Sequence, residues 1–273
     1  MKNFFKKKYF LIISLFLIAF VLAFKVPLKF FNNKNCNIKE VNKVPSDSIV
    51  VIGHLYGSPN NHNNFIDKKA NQFLLKNQKK IRKLYLTGDV FNTPSKEKWE
   101  KLYKLLGNKM TIIVAPGNHD IGSESSLEIF NLYTNQKKDF PIVNLEGNNV
   151  FIVENSISSG WFFQENTLKE IKKIDKNNNL FLLRHNIAAR ELIKFANSEA
   201  FLERELPNLK EINNLLRRDM TIISGDGGAF KKLPRFYCRE FGNIKYIING
   251  LGGLRGDTIL IINKSNIFRF ILN

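Results

Sequence analysis

Directly after an apolar run that ends at Ala115, the chain sets Gly117, Asn118, His119 and Asp120 in a row. An amide oxygen, an imidazole and a carboxylate in successive positions can hold a metal and move a proton. A neutral imidazole steadied by a carboxylate is a competent acid–base group near neutral pH. Gly88 and Asp89, followed by Asn92, make a second such place, again straight after an apolar run. Gly88 permits the sharp turn that would throw the Asp89 side chain forward. Further along, His185 follows Leu182, Leu183 and Arg184, and Asp226 stands between Gly225 and Gly227. Earlier, His54 and Tyr56 lie between Gly53 and Gly57. Of the 4 histidines, His54, His119 and His185 fall at such points, and His62 lies in an Asn-rich loop.

These groups need a frame that brings them together. Short β-branched runs predict strands at Ile49–Ile52, Lys83–Thr87, Thr111–Ala115, Val150–Val153, Leu180–Leu183 and Thr221–Ser224. Apolar residues three and four apart predict helices at Phe65–Lys80, Lys96–Leu106, Leu127–Tyr133, Thr167–Asp175 and Ala188–Leu206. Such alternation implies a layered sheet covered by helices. Toward the end, Lys245–Asn249, Thr258–Ile262 and Asn266–Leu272 read as strands joined by Gly-rich turns, which predicts an antiparallel closing sheet. The polar groups then sit at the carboxyl ends of strands, where open α/β sheets bind their ligands.

Gly88-Asp89 followed by Gly117-Asn118-His119-Asp120 resembles the calcineurin-like metallophosphoesterase superfamily, and the likeness runs from about Ile49 to Asn273. The resemblance implies an α/β fold, a layered sandwich of two sheets flanked by helices. It also implies two divalent metal ions side by side that orient a phosphate and activate a water. Two ions about 3.5–4 Å apart clamp both the attacking and the leaving oxygen of an in-line displacement. Carried over by position, Asp89 would bridge the metals and Asn118 and His185 would bind the second. His119 would stabilise or protonate the leaving oxygen, and Asp120 would orient His119. The implied activity is hydrolysis of a phosphate ester of a metabolite, a glycan or a lipid headgroup.

The first and fifth motifs depart from the family's pattern. Where the family has Asp-x-His, this chain has His54 and Tyr56; where it has Gly-His-x-His, this chain has Asp226 and Gly228. An Asp has become His at one place and a His has become Asp at the other. That exchange keeps ligands and charge if the two side chains share a cluster. By carry-over, one metal keeps Asp89, Asn118, His185 and Asp226, donor types suited to Mn, Fe or Zn. The other keeps Asp89 and His54, so one firm divalent transition-metal site is expected, with room for a second. The rival reading is a catalytically inactive phosphate- or glycan-binding homologue in cell-envelope assembly, supported by the ligands lost at Tyr56 and Gly228. Trp161, Phe162 and Phe163 could line a substrate or membrane-facing pocket, although aromatic clusters are usually core, and Arg184 and Arg190 flanking His185 could hold phosphate or play ordinary surface roles.

The start of the chain has another character. Tyr9–Phe24 is uncharged and follows Lys2, Lys6, Lys7 and Lys8. With Lys25 snorkelling and Val26–Leu28 added, residues 9–28 reach the roughly 20 residues of a spanning helix. A retained signal anchor is expected rather than a cleaved signal, because Ala19 and Ala23 stand among Phe, Val and Leu instead of at a small-residue cleavage site. The basic segment 1–8 outweighs Lys25 and Lys29, which predicts a single-pass protein whose domain faces away from the cytoplasm, on the periplasmic side of a bacterial inner membrane. Residues 29–45, basic and Asn-rich, read as a linker, and 46–273 as the domain. In an oxidising compartment Cys36 and Cys238 could pair, yet a count of two does not require a bond, and two unrelated thiols is the plainer reading. The formal charge of +18 comes from lysines scattered through a Lys-, Asn-, Ile- and Phe-rich composition. With no basic block and a membrane tether, a nuclease is disfavoured. The expected partners are the membrane and a phosphorylated small molecule, glycan or lipid headgroup.

Overall fold

Parallel strands buried on both faces read as unbroken apolar runs, and layers must cover them on either side. In the computed structural model, which describes residues 36, 38–58, 65–134, 140–159, 162–189, 207–228, 236–252 and 256–272, those layers are two mixed six-stranded sheets flanked by helices. The first sheet runs in the order β1 (Lys39–Glu40), β12 (Asn266–Ile271), β11 (Thr258–Asn263), β2 (Ser48–Ile52), β3 (Ile81–Thr87) and β4 (Thr111–Ala115). The second runs β5 (Ile142–Glu146), β6 (Asn149–Val153), β7 (Asn179–Arg184), β8 (Met220–Ser224), β10 (Ile244–Asn249) and β9 (Phe236–Phe241). β2, β3 and β4 are parallel neighbours, as are β6, β7, β8 and β10.

All five residues of β2 are buried, and the two-residue period of a strand divides them between two cores. Ile49 and Val51, with Tyr85 and Ile113, pack on Phe151, Phe181, Leu183 and Ile223 of the second sheet. Val50 and Ile52, with Leu84 and Leu86, pack in the other direction. There they meet Phe73 and Leu74 of α1 (Lys68–Asn77), Trp99 of α2 (Lys96–Leu102) and Phe130 of α4 (Glu124–Thr134). A short α3 (Asn118–Ile121) precedes α4. On the second sheet's side, α5 (Glu165–Lys173) and α6 (Leu209–Leu216) bury Ile171 and Ile212. Asp67 starts α1 by accepting the amides of Lys69 and Ala70 at 2.9 and 3.0 Å, which sets the helix start after the expected Phe65.

The closing strands do not make a sheet of their own. β10 enters the second sheet between β8 and β9, while β11 and β12 complete the first, so the antiparallel pairs β10–β9 and β11–β12 belong to different layers. β5 and β9 were not legible as strands. β5 exposes Val143 and Leu145 (43% and 68%) and therefore lacks the polar alternation that marks a half-covered strand. Of the expected helix Ala188–Leu206, Ala188 and Ala189 are non-helical and the rest lies outside the described residues. So does segment 9–28; among the described residues no helix is long and apolar enough to cross a membrane.

Cys36 and residues 38–40, expected as linker, are part of the fold. β1 pairs in parallel with β12 at the edge of the first sheet, and Cys36 is bonded to Cys238 in β9 at the edge of the second. The reading of two unrelated thiols is thus corrected, with Cα atoms 5.7 Å apart across a sequence separation of 202. A cross-link over so long a loop restricts the unfolded chain and contributes typically about 2–4 kcal/mol.

Candidate metal centre

Because β2, β3 and β4 run in parallel, as do β7 and β8, the loops after them open at matching ends. His54 follows β2, Asp89 follows β3, Asn118 and His119 follow β4, His185 follows β7 and Asp226 follows β8. The sheets approach one another closely there. A Cβ on Gly88 (φ +84°) would stand 2.3 Å from His185 Nδ1, and one on Gly225 would stand 1.8 Å from the Thr87 carbonyl oxygen. Glycine is required at both places by space, and at Gly88 by backbone conformation as well. His54 and Asp89 hold φ values of 54° and 55°, a left-handed conformation that costs a non-glycine residue of order 1 kcal/mol or more and persists where surrounding structure imposes it.

Asp89 is the hinge of the cluster. Its Oδ2 lies 3.5 Å from His54 Nε2. Its Oδ1 lies 3.5 Å from His185 Nε2 and accepts the His119 amide at 3.1 Å. His54, Asp89 and Asp226, all buried, each offer one ligand atom within 4.8 Å of the others. On the far side of Asp89, His185 Nε2 stands 3.2 Å from Asn118 Oδ1 and 3.7 Å from Asp226 Oδ1. The sequence placed Asp226 with His185 and left His54 with Asp89 alone. The structure gives Asp226 to both groups, so the His54 side has three donors rather than two.

The proton positions follow from the outer contacts. His54 Nδ1–H donates to the Gly57 carbonyl at 2.8 Å, and His185 Nδ1–H to the Thr87 carbonyl at 3.1 Å. His54 Nε2 then accepts the Tyr56 O–H at 3.0 Å with Asp89 Oδ2 3.5 Å away, and His185 Nε2 stands among oxygens of Asn118, Asp89 and Asp226. Histidines anchored on carbonyls with Nε2 turned toward oxygen donors are the usual outer support of a metal centre. The donors are nitrogen and oxygen ligands of the kinds that hold divalent transition metals, so this chain's residues fit a metal. Without one, burial lowers the His54 pKa to about 4, with Asp89 pulling the other way. Burial raises Asp226 to about 7, opposed by His185 and reinforced by Asp89. Burial also acts to lower His185, but Asp89 and Asp226 outweigh it and the net shift is upward.

Asp120 lies behind the cluster. Its carboxylate accepts the amides of Gly117, Asp89 and Val90 at 2.9, 2.8 and 3.0 Å, which ties the loop after β3 to the loop after β4. The ring it was expected to orient is held by main chain instead: His119 Nδ1–H donates to the Asn92 carbonyl at 2.7 Å, leaving Nε2 free on a half-buried side chain. Arg184 is fully buried, 3.5 Å from the equally buried Glu154, and lies over the Phe163 ring at 4.7 Å, so it is not placed to meet phosphate. Phe162 is 50% exposed, and Trp161, Arg190 and His62 lie outside the described residues. The carbonyls of Gly57, Thr87 and Asn92, which orient three imidazoles, carry no signal in the sequence.

A cluster of buried histidines and aspartates, with the exposed Asn118 at its edge, at the carboxyl ends of parallel strands of two helix-flanked sheets defines an α/β metallophosphatase-like fold. The family model for calcineurin-like phosphoesterases matches residues 47–250, more than half of the chain, and the chain belongs to that family. Its fold is similar to the phosphopantetheinyl hydrolase of Mycobacterium tuberculosis, with a TM-score of 0.50 and 12% identity over 77% of this chain and 92% of that one. It is also similar to a purple acid phosphatase from yellow lupin (Lupinus luteus) seeds, with a TM-score of 0.50 and 11% identity over 84% of this chain and 54% of that one. At these identities the likeness is one of fold. No curated protein matches the sequence.

Proposed function

We propose that the protein is a membrane-anchored, metal-dependent phosphoesterase that hydrolyses a phosphate ester of a metabolite, a glycan or a lipid headgroup outside the cytoplasm. The observation that carries the reading is the convergence of the Nε2 atoms of His54 and His185 with the oxygens of Asp89, Asp226 and Asn118, beside a third histidine, His119, that belongs to neither group. His54, Asp89 and Asp226, or Asp89, Asn118 and His185, would hold a metal, which would supply Lewis-acid charge for the phosphoryl oxygens and for a water nucleophile. Asp89 sets the spacing of the two groups, since one carboxylate turns an oxygen to each. His119, whose Nδ1–H is committed to the Asn92 carbonyl, can give a proton to the leaving oxygen from Nε2 when the ring is the imidazolium. Asp120 keeps the two loops that carry Asp89 and His119 in register.

The test uses the full-length protein, stripped with chelator and assayed with p-nitrophenyl phosphate while Mn, Fe or Zn is restored. Turnover that returns with metal is the expected result. Metal retained without turnover on any phosphate ester would favour the inactive phosphate- or glycan-binding homologue, and no metal retained would overturn the reading.

The basic start followed by residues 9–28 supports an anchor, and a disulfide suits an oxidising compartment. A phosphatase reporter fused after Asn273 is therefore expected to be active outside the cytoplasm. Reporter activity confined to the cytoplasm would reverse the orientation.

A further inference from the structure

Tyr56 stands where the family pattern has a histidine, and it is 3% exposed. Its hydroxyl oxygen lies 3.0 Å from His54 Nε2. Since His54 Nδ1–H is spent on the Gly57 carbonyl, Nε2 carries the lone pair and the phenol O–H is the donor. The phenol oxygen therefore lies beside the same His54 Nε2 that Asp89 Oδ2 approaches at 3.5 Å. Donors about 2.0–2.2 Å from one metal stand on the order of 3–3.5 Å from each other. Tyr56 Oη to His54 Nε2 at 3.0 Å and His54 Nε2 to Asp89 Oδ2 at 3.5 Å are both spacings of that kind.

Resting on the metal-dependent reading above, we propose that Tyr56 Oη is the fourth donor of the metal position formed by His54, Asp89 and Asp226. On binding, the phenol O–H bond breaks, the proton leaves to solvent, an oxygen–metal bond forms, and the freed His54 lone pair turns to the same ion. The hydrogen bond seen between the two side chains is the metal-free arrangement of two ligands. A phenolate is an anionic oxygen donor and harder than imidazole, so the position favours a harder ion, such as ferric iron, over one that prefers nitrogen.

The experiment loads chelator-stripped full-length protein with ferric citrate, then with Zn, and reads visible absorption and bound metal, with circular dichroism to confirm the fold. Wild type with iron should show a phenolate-to-iron charge-transfer band. Tyr56→Phe, which keeps the ring and its packing, should lose the band and bind metal at this position at least about tenfold more weakly. Tyr56→His should restore metal content without the band, which separates loss of a ligand from damage to the fold. Iron-loaded wild type with no band, or Tyr56→Phe with wild-type affinity and stoichiometry, would overturn the Tyr56 assignment while leaving the phosphoesterase reading standing. Wild type that retains neither metal would overturn both.

Discussion

Asp89→Asn is expected to give a folded protein that has lost both its metal and its turnover. The carboxylate is the only side chain among the described residues shown with one oxygen 3.5 Å from His54 Nε2 and the other 3.5 Å from His185 Nε2. Weakening each position by about 100-fold lowers activity on the order of 10⁴-fold when both are needed. Stability should move the other way. Asp89 is 2% exposed and faces Asp226, so the metal-free protein holds acidic groups close together out of water. Removing one of two neighbouring buried carboxylates relieves desolvation and repulsion by more than the lost pairing with His185 costs, the usual exchange of stability for function at such a site. Elemental analysis and a thermal melt of the metal-free forms check both halves. An Asn variant with full metal content would remove Asp89 as the bridge, and a variant that melts much earlier would make its role structural.

His119→Ala is expected to separate turnover from metal binding. The ring is held by the Asn92 carbonyl, is half-buried, and its Nε2 is free to meet a substrate oxygen. Acid–base assistance of this kind contributes about 10²–10⁴-fold, so turnover on p-nitrophenyl phosphate should fall by that factor with metal content nearly intact. The loss should be smaller on esters with better leaving groups, which need less protonation. Turnover equal to wild type would take His119 out of the mechanism, and loss of metal would make it a ligand.

Much of the frame was legible because its physics is local. Parallel strands covered on both faces are apolar runs broken by turn residues, and β2, β3, β4, β6, β7 and β8 all read that way. Gly88-Asp89 and Gly117 to Asp120 were legible for the same reason, since each motif is one turn whose backbone needs its own residues. β5 was hidden by apolar side chains on its open face, and β9 by charge at Arg239 and Glu240 near its end.

Composition and spacing thus determined the donor types, the strands that carry them and the family they resemble. Which donors meet was decided by the two sheets closing on each other. That packing put His54 beside Asp226 and brought Cys36 to Cys238, while within the first sheet the neighbouring loops after β3 and β4 turned Asp120 onto backbone amides and the loop after β2 folded Tyr56 onto His54. Each of those contacts joins groups through space and depends on main-chain atoms or on strand order. A linear sequence states a side chain's chemistry, but its neighbours exist only once the layers have packed and the burial that shifts its charge has been imposed.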